Sequence, residues 1–300
     1  MQNRNLLHWI IFIALGLTWG SSFILMKLGL ISFTYDQVAA LRIFIAFLFF
    51  IPFAFTHIRR PMLKYVPAAA VMGICGNLIP AFLFTRAETM ISSALAGMLN
   101  SLTPVFTLVL GFFMLRQRPF SRQVAGIFIG LAGAVGLMLL DDDTTSAGNV
   151  LEGGSLVVLA TVLYGFSVNI IKLKLSSIGA IAACVLAFFV TGPIAGTFLF
   201  TTDFFDRMQT EPVAWESLGY ISILAIGGTS LSVIVYNLLI KEAGTLFAAS
   251  VTYLIPVAAM GWGISDGESI TFLHVLFVLV ILSGVWLVNS QKEVVETQNQ

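Results

Sequence analysis

Charge is the scarcest thing in this sequence. Only 10% of its 300 residues are Asp, Glu, Lys or Arg, whereas ordinary soluble domains carry about 25%. So few charges cannot clothe a water-facing surface, and 58% of the residues are apolar. The lipid bilayer must therefore be the solvent. Net charge is zero, which leaves no basic field to hold nucleic acid. Cysteine is scarce too: Cys75 and Cys184 both lie in apolar stretches. They read as small packing residues, not as a disulfide or a metal site. The histidines His8, His57 and His274 are scattered and build no metal or Ser-His-Asp constellation. No catalytic residue, metal or cofactor is expected.

Acids are missing where they would matter most. No Asp or Glu falls near the middle of an apolar stretch; Glu88, Glu242, Asp266 and Glu268 all stand at stretch ends. Paired acids for intramembrane hydrolysis are absent, and a carboxylate proton relay is not visible. No Arg or Lys cluster lies at mid-depth, which disfavours phosphorylated substrates. No Gly-rich phosphate cradle occurs, which excludes an ATP-driven pump within the chain.

Long apolar windows are plentiful. About 20 helical residues cross a hydrocarbon core roughly 30 Å thick. The hydropathy pattern predicts ten such spans, at 8–30, 35–56, 65–86, 91–115, 121–140, 154–173, 177–201, 216–239, 245–265 and 270–289. The opening run "MQNRNLLHWIIFIALGLTWG" lacks a small-residue cleavage site and reads as a span, not a signal peptide. Connections are short, the longest being 141–153 and 202–215, so no extramembrane domain is expected. Basic residues favour the cytoplasmic side. With both termini inside, eleven of the fifteen Lys and Arg sit on inner flanks, and only Lys27, Arg42, Arg86 and Arg207 near the outer side.

The chain repeats itself. "TWGSSFILMKL" at 18–28 returns as "LYGFSVNIIKL" at 163–173, so Trp19, Gly20 and Lys27 match Tyr164, Gly165 and Lys172 at a shift of 145. Further on, Gly76, Phe84 and Pro104 match Gly228, Tyr236 and Pro256 at a shift of 152. Two halves, 1–145 and 146–300, would hold five spans each. Five is odd, so the second half must enter the membrane from the opposite side. Inverted repeats of this kind are an architecture of secondary transporters.

Polar groups inside spans turn inward or line water. Gly16 and Gly20 form a small-xxx-small pair that admits another helix. Trp9, Trp215, Trp262 and Trp286 stand near span ends as interfacial anchors, but Trp19 is central. It reads either as a stacking wall for a substrate or as a packed core aromatic. Lys27 and Lys172 read as snorkelling side chains, and Arg42 as one reaching toward Asp36. Asn77, Asn100, Thr103, Asn169, Tyr236, Asn237, Thr252 and Tyr253 are the remaining deep polar side chains. Their grouping on corresponding spans points to a shared polar cavity, with interhelical glue as the alternative. Pro104 and Pro256, one in each half, are candidate hinges.

Together these features resemble the drug/metabolite transporter superfamily and, within it, the EamA-type ten-span proteins. The resemblance rests on "LTWGSSFILMKL", "ALRIFIAFLFF", "ISSALAGMLNSLTPVFTLVLGFFML", "VAGIFIGLAGAVGLM" and "TLFAASVTYLIPVAAMGWG". The family's Gly-Glu pair after the Pro-containing span is kept as Gly267-Glu268, while the first half has Arg116-Gln117. The resemblance implies export of amino acids and related metabolites through a central cavity lined by spans one, three, four, six, eight and nine. The expectation is an all-α integral membrane protein of ten transmembrane helices in two inverted five-helix repeats. It would be a monomer or weak homodimer in the bacterial cytoplasmic (inner) membrane, exporting small neutral or zwitterionic metabolites. Trp19, Phe23, Tyr164, Tyr236 and Tyr253 would form apolar walls, and Ser22, Asn77, Asn100, Asn237 and Thr252 would supply hydrogen bonds. The alternatives are a drug efflux carrier, a non-transporting receptor or scaffold, and an intramembrane enzyme.

Overall fold

The computed structural model describes residues 6–115, 120–140, 147–243, 247–248 and 250–289. Among them every regular element is helical. Eight helices are long and apolar enough to cross a bilayer: Leu6–Gly29, Tyr35–His57, Arg60–Ala87, Ser93–Met114, Ser121–Leu140, Gly148–Leu175, Ala180–Phe200 and Ala214–Leu239. Two shorter apolar helices, Ser250–Ser265 and Phe272–Val288, bring the set to ten. We number these spans one to ten. The chain is a multi-pass membrane protein.

Two expectations about the connections need correction. The acidic stretch at 141–153 is half helix, because the helix of span six already starts at Ala147; residues 141–146 lie outside the described set. The stretch at 202–215 carries a short helix, Phe204–Thr210. It forms there because Phe204 buries its ring 5.5 Å from Phe33. Gln37 also holds its start, donating to Thr202 Oγ1 at 3.1 Å and Asp203 Oδ1 at 2.7 Å. Arg4, Arg116–Arg118 and Lys292, used in reading orientation, also lie outside the described residues.

The packing pairs the two halves. Spans two and seven share one apolar cluster, with Phe50 stacked on Phe188 at 5.3 Å. Spans five and ten meet through glycines: a Cβ on Gly126 would lie 2.6 Å from the Gly284 carbonyl, and one on Gly284 would lie 2.6 Å from the Gly130 amide. This is the close contact that GxxxG permits. Span one packs on spans eight and nine, and span six packs on spans three and four. Exchanging each span for the one five places on turns the first set of contacts into the second. Glycines at matching positions enable it. Gly20 lies against Ala258, and Gly165, its repeat mate, lies against the Phe106–Thr107 backbone. Gly16 completes the groove that seats Leu254, the approach its spacing predicts.

Spans four and nine are each broken. A 3-10 turn, Asn100–Leu102, precedes the helix Thr103–Met114, and Ser250–Tyr253 precedes Ile255–Ser265. Pro104 and Pro256 stand in the first turn of the second piece. Proline has no N–H to donate back, so the α ladder stops and restarts there. The Thr103 hydroxyl donates to the Asn100 carbonyl at 2.8 Å across the 3-10 turn of span four.

Candidate functional site

Spans three, six and eight contain π-helical turns, at Ile74–Leu78, Ile171–Leu175 and Leu224–Leu231. A π turn widens the helix, frees backbone carbonyls and is frequent at functional sites. In span eight the hydroxyls of Thr229, Ser230 and Ser232 bond to carbonyls five residues back, at 3.4, 3.0 and 2.6 Å. The Gly228 carbonyl instead accepts the indole N–H of Trp19 at 3.1 Å. Trp19 thus has the partner a central indole needs. Its ring lies 5.2 Å from that of Tyr236.

The other half repeats the arrangement. Tyr164 is the mate of Trp19, Phe84 that of Tyr236, and Tyr164 stacks on Phe84 at 5.9 Å. Ser22 and Ser167 are mates at the shift of 145. A Cβ on Gly228 would lie 3.0 Å from the Ser22 hydroxyl, and one on Gly76 would strike that of Ser167. The paired glycines therefore let span eight approach span one, and span three approach span six, at the π turns.

The residues predicted for the site divide into groups. Trp19 and Tyr236 come together, and Phe23 and Tyr164 join through Phe84, which is 5.8 Å from Phe23. Ser22 and Phe23 are buried, and the Ser22 hydroxyl bonds within its own helix, to the Thr18 carbonyl at 3.2 Å. Asn77 is half-buried on the π turn of span three and makes no side-chain hydrogen bond among the described residues. Asn100 is half-buried at the break of span four. Thr252 and Tyr253 are half-buried at the equivalent break of span nine, and both are engaged in contacts. Asn237 bonds back to Val233 in its own helix at 2.7 Å. Asn169 is glue: its amide reaches the Thr107 carbonyl at 2.9 Å and ties span six to span four.

A polar network at one end of the bundle was not foreseen. Lys27 forms ion pairs with Asp266 and, at 2.9 Å, with Glu268. Glu268 also accepts from Ser93 N and Oγ at 3.0 and 2.8 Å, and from Ala94 N at 3.0 Å. The carboxylate sits on the first turn of span four, where backbone N–H groups have no helical partner. Gly267 aims it there from a φ of +82°, a conformation that glycine adopts without strain. Gly263 leaves it room, since a Cβ there would lie 2.6 Å from Glu268 Oε2. Burial alone would raise the Glu268 carboxyl; the bonds from Lys27, Ala94 and Ser93 outweigh it and hold the group below its ordinary range. Lys27 does run toward the membrane surface, but its terminus is held by carboxylates of the chain.

Arg42 departs from the reading more clearly. It does not turn to Asp36. Its Nε donates to Thr229 Oγ1 at 3.1 Å, and Nη1 lies 3.7 Å from the Met26 sulfur. The π turn of span eight presents Thr229 to it. Glu88, one residue past span three, is buried, and neither carboxylate oxygen has a hydrogen-bond partner. Burial pushes its carboxyl well above the ordinary range; the Glu268 charge acts the same way, while Arg42 and Lys27 oppose. Its place at a span end concealed that burial. Lys27, Glu88, Asp266 and the Gly267-Glu268 pair were visible in the sequence as groups at span ends, but nothing there showed that they meet.

A bundle of ten apolar helices with π turns, broken helices and half-buried polar side chains facing between halves defines a transporter class of membrane protein. The chain belongs to the EamA-like transporter family, whose model matches it twice, over residues 7–139 and 151–290. It is similar to "Protein PagO" of Salmonella typhimurium, 23% identical over 93% of this chain and 91% of that one. It is similar to the inner membrane transporter YedA of Escherichia coli, 25% identical over 93% and 89%. A "Probable amino-acid metabolite efflux pump" of Escherichia coli is 24% identical over 90% of each chain. A crystal structure at 16% identity covers 98% of this chain and 100% of its own, with a TM-score of 0.61, and supports the fold.

Proposed function

We propose that this protein is a secondary carrier that exports small neutral or zwitterionic metabolites, such as amino acids, by alternating access. Its halves, 1–145 and 146–300, are opposite in topology, with both termini on the cytoplasmic side of a bacterial inner membrane. Trp19, Tyr164, Tyr236 and Tyr253 supply the aromatic walls. Asn77, Asn100 and Thr252 supply hydrogen bonds at the π turn and the helix breaks. Rearrangement at Pro104 and Pro256 moves access from one side to the other.

The observation that carries this reading is the exchange symmetry of the aromatic pairs: Trp19 with Tyr236, Tyr164 with Phe84. Two equivalent arrangements around one centre are what a carrier needs to present the same pocket to either side. A similar protein named as an amino-acid metabolite efflux pump agrees with the substrate class. The test is counterflow. Vesicles containing the protein and loaded with unlabelled L-phenylalanine should transiently accumulate the labelled amino acid, and vesicles with Asn100→Leu should not. A null result in a counterflow survey of neutral and zwitterionic metabolites would contradict the proposal.

A further inference from the structure

The mechanism above leaves Glu88 unused. It is nine-tenths buried, with both oxygens unpartnered, at the end of the bundle where Lys27 holds Glu268. A carboxylate in so dry a place without a donor is costly, whereas a neutral carboxyl is not. Every neighbouring charge is otherwise engaged. Lys27 on span one holds Asp266 and Glu268. Arg42 on span two donates to Thr229. Arg86, on Glu88's own span, pairs with Glu152 of span six at 2.9 Å. Tyr164 is the other titratable group of span six on this side, and its ring is stacked on Phe84, four residues before Glu88.

We infer that Glu88 is a proton-binding site: it carries a proton while this end of the bundle is tied by Lys27, Asp266, Glu268 and Ser93, and releases it to water when those ties part. The O–H bond of the carboxyl breaks, the proton goes to the medium on that side, and the carboxylate left behind takes Arg42, freed from Thr229, as its counter-ion. Closing the end again requires a proton from the same medium. No net proton crosses the membrane in this cycle; the opening of this end, and with it the rate of substrate movement, is set by the pH of the medium it faces. The position of Glu88 at the lip of the bundle, one residue past its span, gives it access to water on opening. Burial displaces its carboxyl upward, the direction that favours the neutral form. This inference rests on the carrier reading for its consequence, not for the site itself.

Two measurements separate these. Infrared pH titration of the purified protein in detergent, without substrate, should show a protonated carboxyl band at neutral pH that is lost at alkaline pH. That band should be missing in Glu88→Gln and retained in Glu216→Gln, a change at an exposed carboxylate away from these ties. A neutral-pH band unchanged by Glu88→Gln, or no such band in the parent, would overturn the site. In vesicles, Glu88→Gln should keep counterflow of L-phenylalanine but lose the dependence of its rate on the pH of the medium. A pH dependence equal to that of the parent would overturn the control. Absence of counterflow in the parent would count against the carrier reading and leave the infrared result to stand by itself. Glu88→Asp, one methylene shorter, should keep the band and part of the pH dependence; retention of the band without any pH dependence would contradict control through this proton.

Discussion

Lys27 of span one and Glu268, 241 positions later, meet at 2.9 Å on the first turn of span four. Three spans are fastened by one carboxylate. Glu268→Ala removes the acceptor of two backbone amides and a hydroxyl at once. Hydrogen bonds to a charged group are worth roughly 1.5–3 kcal/mol each where they are buried. The Lys27 side chain is 40% exposed, so its share is discounted for solvent screening. The three bonds share one carboxylate and their donors turn to water when it is removed, so the contributions do not add; a loss of about 2 kcal/mol is expected, read as a lower unfolding temperature in detergent, with Lys27→Met giving a smaller one.

The same carboxylate fixes a pH dependence. Its folded pKa is depressed, so its stabilisation is complete above the ordinary carboxylate value and fades as pH falls through the depressed one. Unfolding temperatures of the parent and Glu268→Gln should therefore differ at neutral pH and converge in strong acid. A gap that persists unchanged in acid would argue against the ion pair as its source.

Gly20 and Gly165 should respond alike to substitution, because each meets the partner half at the equivalent place. Valine at either position forces a side chain into Ala258 or into the Phe106–Thr107 backbone. Overpacking typically costs about 1–3 kcal/mol. Both variants should lose folded yield in detergent chromatography, whereas Gly219→Val, which has nothing within 4 Å, should not.

Trp19→Phe keeps a ring beside Tyr236 but deletes the donor to the Gly228 carbonyl. A stability loss of about 1 kcal/mol is expected from the missing bond. Counterflow should fall further than stability does, since the π turn of span eight loses its link to span one. Equal counterflow in parent and variant would show that the indole N–H only packs.

Much of this fold was legible before any coordinates. Ten hydropathy windows locate the ten helices because lipid forces each span to satisfy its own backbone. Gly16 and Gly20 foretell a close helix contact because a missing Cβ is visible in sequence. The π turns were not legible, since no residue type marks them. Neither was Arg42's turn toward Thr229, which depends on where span eight widens. Glu88 was misjudged for a related reason. Its position at a span end is sequence information, while its burial depends on how the helices pack around it.

The inverted pairing of the halves is most directly tested by topology. Lys64, in the first turns of span three, and Gln209, just before span eight, are exposed and lie at the entry to the third span of each half. Each should be replaced singly by cysteine in a background where Cys75 and Cys184, the native cysteines, have been changed to serine and alanine. A membrane-impermeant maleimide applied to intact spheroplasts should label Gln209→Cys and not Lys64→Cys. Labelling of both from the same side would contradict the account.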